Sequence, residues 1–118
     1  MRRTGWIGVD LDGTVAHYAT DDFHKYGPYH IGEPVPAMVE RVKKWLAAGY
    51  EVRIFTARVS DDDLATHQRI ESWARQHIGR TLEATCKKDY QMMALYDDRA
   101  WRVEENTGRV IGEDGDEW

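Results

Sequence analysis

Trp6-Ile7-Gly8-Val9-Asp10-Leu11-Asp12-Gly13-Thr14 begins as a short apolar run and ends in two carboxylates and a turn. The run reads as a buried strand. Carboxylates at i and i+2 beyond a strand end suit a nucleophile beside an acid/base, and both can approach a divalent cation. Gly13 permits the turn that lets a ligand come close. Two plainer readings compete. Asp-Gly is a strong two-residue hairpin turn. A calcium loop opening at Asp10 would need Gly at its sixth position and Glu at its twelfth. Those positions hold Val15 and Asp21, so that reading fails.

Outward from this stretch, residues 16–34 read as a long loop carrying His17, Asp21, Asp22, His24 and His30. A loop of that length in a small domain is usually functional. Its histidines match no standard transition-metal spacing, and contact with substrate is the better expectation. Pro36 opens a helix to about Ala48, with Met38, Val39, Val42, Trp45 and Leu46 on its apolar stripe and Gly49 closing it. Residues 51–56 alternate as a strand. Ser60 and Asp63 resemble a capping box opening a helix to about Ile78, with Leu64, Ile70, Trp73 and His77 inward and His67 at the surface. Asp61, Asp62 and Asp63 suit a helix N-terminus through its dipole. A short strand is expected near Leu82–Cys86, then a turn or short helical piece around Tyr90–Met93. Ala94-Leu95-Tyr96 reads as a strand ending in Asp97-Asp98. Residues 102–103 and 109–111 flank Asn106-Thr107-Gly108 as a terminal hairpin. Trp45, Trp73, Met92 and Met93 read as core. Residues 113–118 form an acidic tail expected to fray.

Strands alternating with helices predict an α/β fold, a mainly parallel sheet with helices on both faces. In such sheets chemistry collects beyond the carboxyl ends of the strands. Those ends carry Asp10, Thr56, Lys88 and the pair Asp97-Asp98, all polar and chemically useful.

The chain has 118 residues, enough for one domain over residues 1–118 with one core. Its single cysteine, Cys86, excludes an internal disulfide and a cysteine-rich zinc site, which favours a cytoplasmic protein. No membrane span or secretory leader is expected. The net charge of −5 disfavours a broad nucleic-acid footprint but not a small anionic substrate in a locally positive pocket.

Val9 to Val15 resembles the first motif of the haloacid dehalogenase superfamily. Ile54-Phe55-Thr56 resembles its second motif, Lys88 its third-motif lysine, and Leu95-Tyr96-Asp97-Asp98 its fourth. The order and spacing agree over residues 6–98. Thr56-Ala57-Arg58 and Tyr96-Asp97-Asp98-Arg99 resemble the phosphatase half of phage polynucleotide kinases. The kinase half is absent, since no Gly-x-x-x-x-Gly-Lys-Ser/Thr run occurs.

The resemblance implies a Rossmann-like, three-layer phosphohydrolase that depends on Mg²⁺. Asp10, the Asp12 backbone carbonyl, and Asp97 or Asp98 would hold the metal. Asp10 would attack phosphorus to give an aspartyl-phosphate. Asp12 would protonate the leaving oxygen and then activate water, its carboxyl partly protonated among so many acids. Thr56 and Lys88, with Lys87 as the runner-up, would hold the phosphoryl oxygens. Arg58 and Arg99 would grip substrate, or else pair with acids at the surface.

The gaps 15–35 and 57–85 are too short for the cap domains many relatives carry, so an open site is expected, with residues 16–34 as a small lid. Nucleotides and nucleic-acid 3′-phosphate ends are the suggested substrates; oligomeric state is left open. A receiver-type signalling module, a silent phosphate-binding protein and a phosphotransferase are the rivals. A receiver places its acidic pair first and its lysine last, the reverse of the order here.

Overall fold

A computed structural model describes residues 4–19 and 21–112. Strand β1 (Trp6–Asp10) is buried through its first four residues, as a strand covered on both sides of a parallel sheet should be. A short helix α1 (Asp22–Tyr26) interrupts the region expected to be loop. Helix α2 (Pro36–Ala47) follows, with Pro36 in its first turn and Val39 and Val42 buried. Strand β2 (Glu51–Phe55) leads into a 3₁₀ turn, Ala57–Val59, then helix α3 (Leu64–His77). Strands β3 (Ala84–Thr85) and β4 (Met92–Tyr96) complete the main sheet. A hairpin of β5 (Arg102–Val103) and β6 (Val110–Ile111) follows it.

The main sheet is parallel throughout, in the order β3-β2-β1-β4, and the helices flank it in a Rossmann-like three-layer arrangement. From β1 the chain steps outward to β2 and β3, then crosses back to place β4 on the other side of β1. The order therefore reverses between β1 and β4. Open α/β sheets leave a crevice beyond the strand ends at such a point. The core beneath it contains Ile7, Val9, Leu11, Val15, Val42, Ile54 and Ile70, each 1% exposed or less.

The expected hairpin is present, with Arg102 opposite Ile111 and Val103 opposite Val110. Other expectations need correction. Asp63, not Ser60, caps α3: its carboxylate accepts from the Ala65 N–H at 3.1 Å. Ser60 instead closes the 3₁₀ turn. Leu64, expected inward, is 68% exposed, because capping at Asp63 places it in the first turn beyond the core. Ile70 and Trp73 are buried as expected, and His77 is half-buried against the Trp73 ring. His67 is half-buried too, with Nε2 3.6 Å from Asp62.

Of the turn or short helical piece expected around 90–93, the turn forms, at Tyr90 and Gln91, and β4 already begins at Met92. Asp89 accounts for this start. Its carboxylate accepts from Trp6 Nε1 and from the Gln91 N–H, both at 2.9 Å, and its carbonyl accepts from Met92 N–H. These bonds turn the chain into the sheet beside Trp6. The expected fraying of 113–118 lies outside the described residues. Among the described residues, no helix is long and apolar enough to cross a membrane.

Candidate active site

Three strand ends, those of β1, β2 and β4, and one sharp turn build the site. After β1 the chain folds back on itself: Val15 N–H donates to Asp10 O, Ala16 N–H to Leu11 O, and Gly13 N–H to Ala16 O. Gly13 takes a φ of +90°, a left-handed conformation that glycine adopts without strain. This turn swings Thr14 back over Asp10. The Thr14 hydroxyl lies 3.3 Å from an Asp10 carboxylate oxygen and 2.8 Å from Asp98 Oδ1, and its oxygen accepts from Asp98 N–H at 3.0 Å. Thr14 thus ties the end of β1 to the residues after β4. In sequence, Thr14 is a motif residue with no evident role of its own. Its signal is a hydroxyl four residues beyond the first acid, meaningful only once the chain is known to double back.

After β4, Arg99 N–H donates to the Asp97 carboxylate at 2.8 Å, so Asp97 closes its own turn. Asp10, Asp97 and Asp98 each present an oxygen within 4.8 Å of the others. Crowding of this kind has an electrostatic cost. Burial, then the Asp97 charge, then a hydrogen bond and charge from Asp98, push the Asp10 carboxyl from 3.8 up to about 7. The crowd thus raises the Asp10 carboxyl well above the ordinary carboxylate range.

Asp12 faces a guanidinium. Arg58 Nε and Nη2 donate to its two oxygens, each at 2.8 Å, a bidentate charge-assisted pair. Arg58 Nη2 also donates to the His30 carbonyl at 2.8 Å. Of the two roles expected for Arg58, substrate grip or pairing with an acid, the structure shows the pairing, and its nitrogens brace Asp12 and the 16–34 segment. Thr56, 3% exposed, sits just past β2 and accepts from Arg58 N–H through Oγ1 at 3.1 Å. An accepting hydroxyl still has its own hydrogen to donate.

Asp10, Asp12, Thr56, Arg58, Asp97 and Arg99 line one hollow of about 380 Å³, together with Phe55 and Ala57, which sequence reading did not pick out. Asp98 lies at its edge through Thr14. Lys87 and Lys88 are both exposed and neither lines this hollow. Strand β3 ends at Thr85, and Lys87 N–H turns back to Thr85 Oγ1, which leaves the two lysines past the rim. Among the described residues the histidines join no metal-binding group. His30 has Nε2 3.7 Å from Asp22. A larger hollow of about 470 Å³, between α3 and Tyr29, contains none of the strand-end residues.

No family model matches the chain, and a comparison with curated proteins likewise finds no match. Among solved structures, a conserved protein from Bacteroides thetaiotaomicron is similar, with a TM-score of 0.56 and 21% identity. The likeness covers 82% of this chain and 78% of that one. At that identity it shows a shared α/β fold and nothing of activity.

Proposed function

We propose that the chain is a capless phosphomonoester hydrolase of the haloacid dehalogenase type, dependent on Mg²⁺ and acting through an aspartyl-phosphate on Asp10. The observation that carries this reading is the meeting of Asp10, Asp97 and Asp98 within 4.8 Å at the reversal point of the sheet. Three clustered carboxylates supply hard oxygen donors, and the rise in the Asp10 pKa marks a site short of positive charge. That donor set fits Mg²⁺, with Asp10, Asp97 and Asp98 as the holding side chains and the Asp12 carbonyl as a further oxygen. The ion would supply charge neutralisation, so that a phosphate can approach the acids.

In the first step an Asp10 oxygen bonds to phosphorus as the bond to the leaving oxygen breaks. The proton for that oxygen comes from Asp12. In the second step water attacks phosphorus and gives a proton to Asp12, the bond to Asp10 breaks, and inorganic phosphate leaves. For Asp12 to carry a proton its pair with Arg58 must part. An incoming phosphate dianion competes for that guanidinium, so substrate entry itself releases Asp12. Thr56 donates to a phosphoryl oxygen. Lys88, outside the hollow, takes no part in this reading.

The receiver alternative has a different sheet. Receivers of the flavodoxin-like type follow the order 2-1-3-4-5, with the third strand beside the first. Here β3 lies beyond β2.

The test is release of inorganic phosphate from a panel of an aryl phosphate, nucleoside monophosphates and oligonucleotides bearing 3′- or 5′-phosphate. It is run with and without Mg²⁺. Turnover is expected only with the ion and is abolished in Asp10→Asn. Turnover that persists in Asp10→Asn overturns the covalent mechanism, and no turnover across the panel overturns the hydrolase.

A further inference from the structure

Beyond the phosphate hollow the rim carries two exposed aromatic rings. Tyr18 is 50% exposed and lines a hollow with Asp12, Ala57, Arg58, Asp98 and Arg99. Trp101 is 40% exposed and lines another with Asp98, Arg99 and Ala100. Both hollows share Asp98 and Arg99 with the edge of the site, and Arg99 lines the phosphate hollow as well. The position of Trp101 follows from the turn after β4. The Arg99 and Ala100 N–H groups return to Asp97, which delivers the next side chain to the rim before β5 begins.

Charge says why a substrate needs these rings. Among the described residues the three hollows are lined by Asp10, Asp12, Asp97 and Asp98 against Arg58 and Arg99, with no lysine. A divalent cation would bring that set to neutrality and leave the phosphate's own negative charge without a counterpart. The phosphate site thus offers little excess positive charge, and contact with the leaving group would add to binding. An aromatic face beside a guanidinium takes a planar ring by stacking.

We infer that Tyr18, Arg99 and Trp101 form a leaving-group subsite for a phosphomonoester whose phosphate lies close to a planar heteroaromatic ring, as in a nucleotide. The inference rests on the hydrolase reading above. The same chemistry is offered by a free nucleotide and by the end of a nucleic-acid strand. The net charge of −5, with two guanidiniums among the described residues at the rim, favours the free nucleotide.

The experiment compares kcat/KM for ribose 5-phosphate, nucleoside 5′- and 3′-monophosphates and a short 3′-phosphorylated oligonucleotide in Mg²⁺. Nucleoside monophosphates are expected to exceed ribose 5-phosphate by about tenfold or more. Trp101→Ala and Tyr18→Ala are each expected to reduce that ratio at least about fivefold. A binding readout runs beside it: nucleoside monophosphate is expected to quench tryptophan emission of the wild-type protein, and Trp101→Phe to lose most of that quenching. An oligonucleotide favoured over the monophosphates assigns the ring to a strand end and overturns the preference for a free nucleotide. Equal rates with and without the base, or a ratio unchanged in both alanine variants, overturn the subsite while leaving the hydrolase standing. Absence of turnover on every compound removes both.

Discussion

Gly13 shows how little space separates the two halves of the site. A Cβ built there would lie 2.8 Å from Asp98 Oδ2 and 3.0 Å from Asp98 Cγ, at a φ of +90°. Gly13→Ala thus meets two penalties, a left-handed backbone and a displaced carboxylate. The expected loss is about 1–3 kcal/mol in denaturant unfolding. Mg²⁺ affinity, followed by calorimetric titration, is expected to fall at least tenfold, because Asp98 can no longer close on Asp10. A variant that unfolds earlier but binds the ion normally would mean that Asp98 is not part of the metal group. Gly8 offers a contrast, since the nearest atom to its Cβ is the terminal methyl of Met92, a flexible side chain able to move aside. Asp10, Thr56 and Asp97 were legible from sequence because each lies at the end of an apolar strand, and Asp12 because it follows Asp10 by two residues. The Arg58–Asp12 pair was not: 46 positions separate the two residues, and only the parallel pairing of β1 with β2 brings their strand ends side by side.

Residues 16–34, expected as a small lid, have a fixed base in the structure. His17 N–H donates to Glu33 O, Val35 N–H to Val15 O, and Ala16 and Pro34 form an antiparallel bridge. Trp73 Nε1 donates to Gly32 O at 3.0 Å, and Arg58 holds the His30 carbonyl. These are bonds between segments far apart in sequence, so no local pattern announces them. What hydrophobic spacing did announce was the body of each helix, because an apolar stripe is a local signal. Ends were less certain, as α3 shows. Both Ser60 and Asp63 are competent caps by type, and the choice fell to Asp63 because the 3₁₀ turn consumes residues 57–59 first. Asp63 also accepts from the Thr66 hydroxyl at 3.1 Å. Asp63→Ala is expected to lower stability by about 1 kcal/mol, whereas Ser60→Ala stays within about 0.5 kcal/mol, both read by urea unfolding. The reverse order would return the helix start to Ser60.

For the whole protein, the acid cluster couples stability to pH and to the cation. Asp10 in the folded, metal-free protein titrates near 7 against 3.8 for an ordinary aspartate, so the folded state binds its proton more tightly than the unfolded state does. The associated stability is complete below about pH 3.8 and is lost as pH rises through about 7. Asp89 and Glu104 act in the opposite sense. Trp6 holds the Asp89 carboxyl below its usual range and Arg109 does so for Glu104, so their contributions are present above the ordinary carboxylate range and fade as pH falls. Metal-free protein is therefore expected to be most stable in mildly acidic solution and to weaken toward pH 8. Because Asp10 is only about half buried, the loss is discounted to about 2 kcal/mol. Asp10→Asn removes the charge that causes it, and is expected to be more stable than wild type at pH 8 and no more stable at pH 4. On the proposed reading Mg²⁺ would bind the ionised cluster, so millimolar ion is expected to raise the wild-type melting temperature by about 5 °C or more at pH 8, less at pH 5, and little in Asp10→Asn. Thermal melts across pH 4–8, with and without the ion, separate these cases. A wild-type protein whose melting temperature ignores both pH and Mg²⁺ would mean that the three carboxylates are too far apart in solution to feel one another. The proposed chemistry would then lose its metal and its nucleophile together.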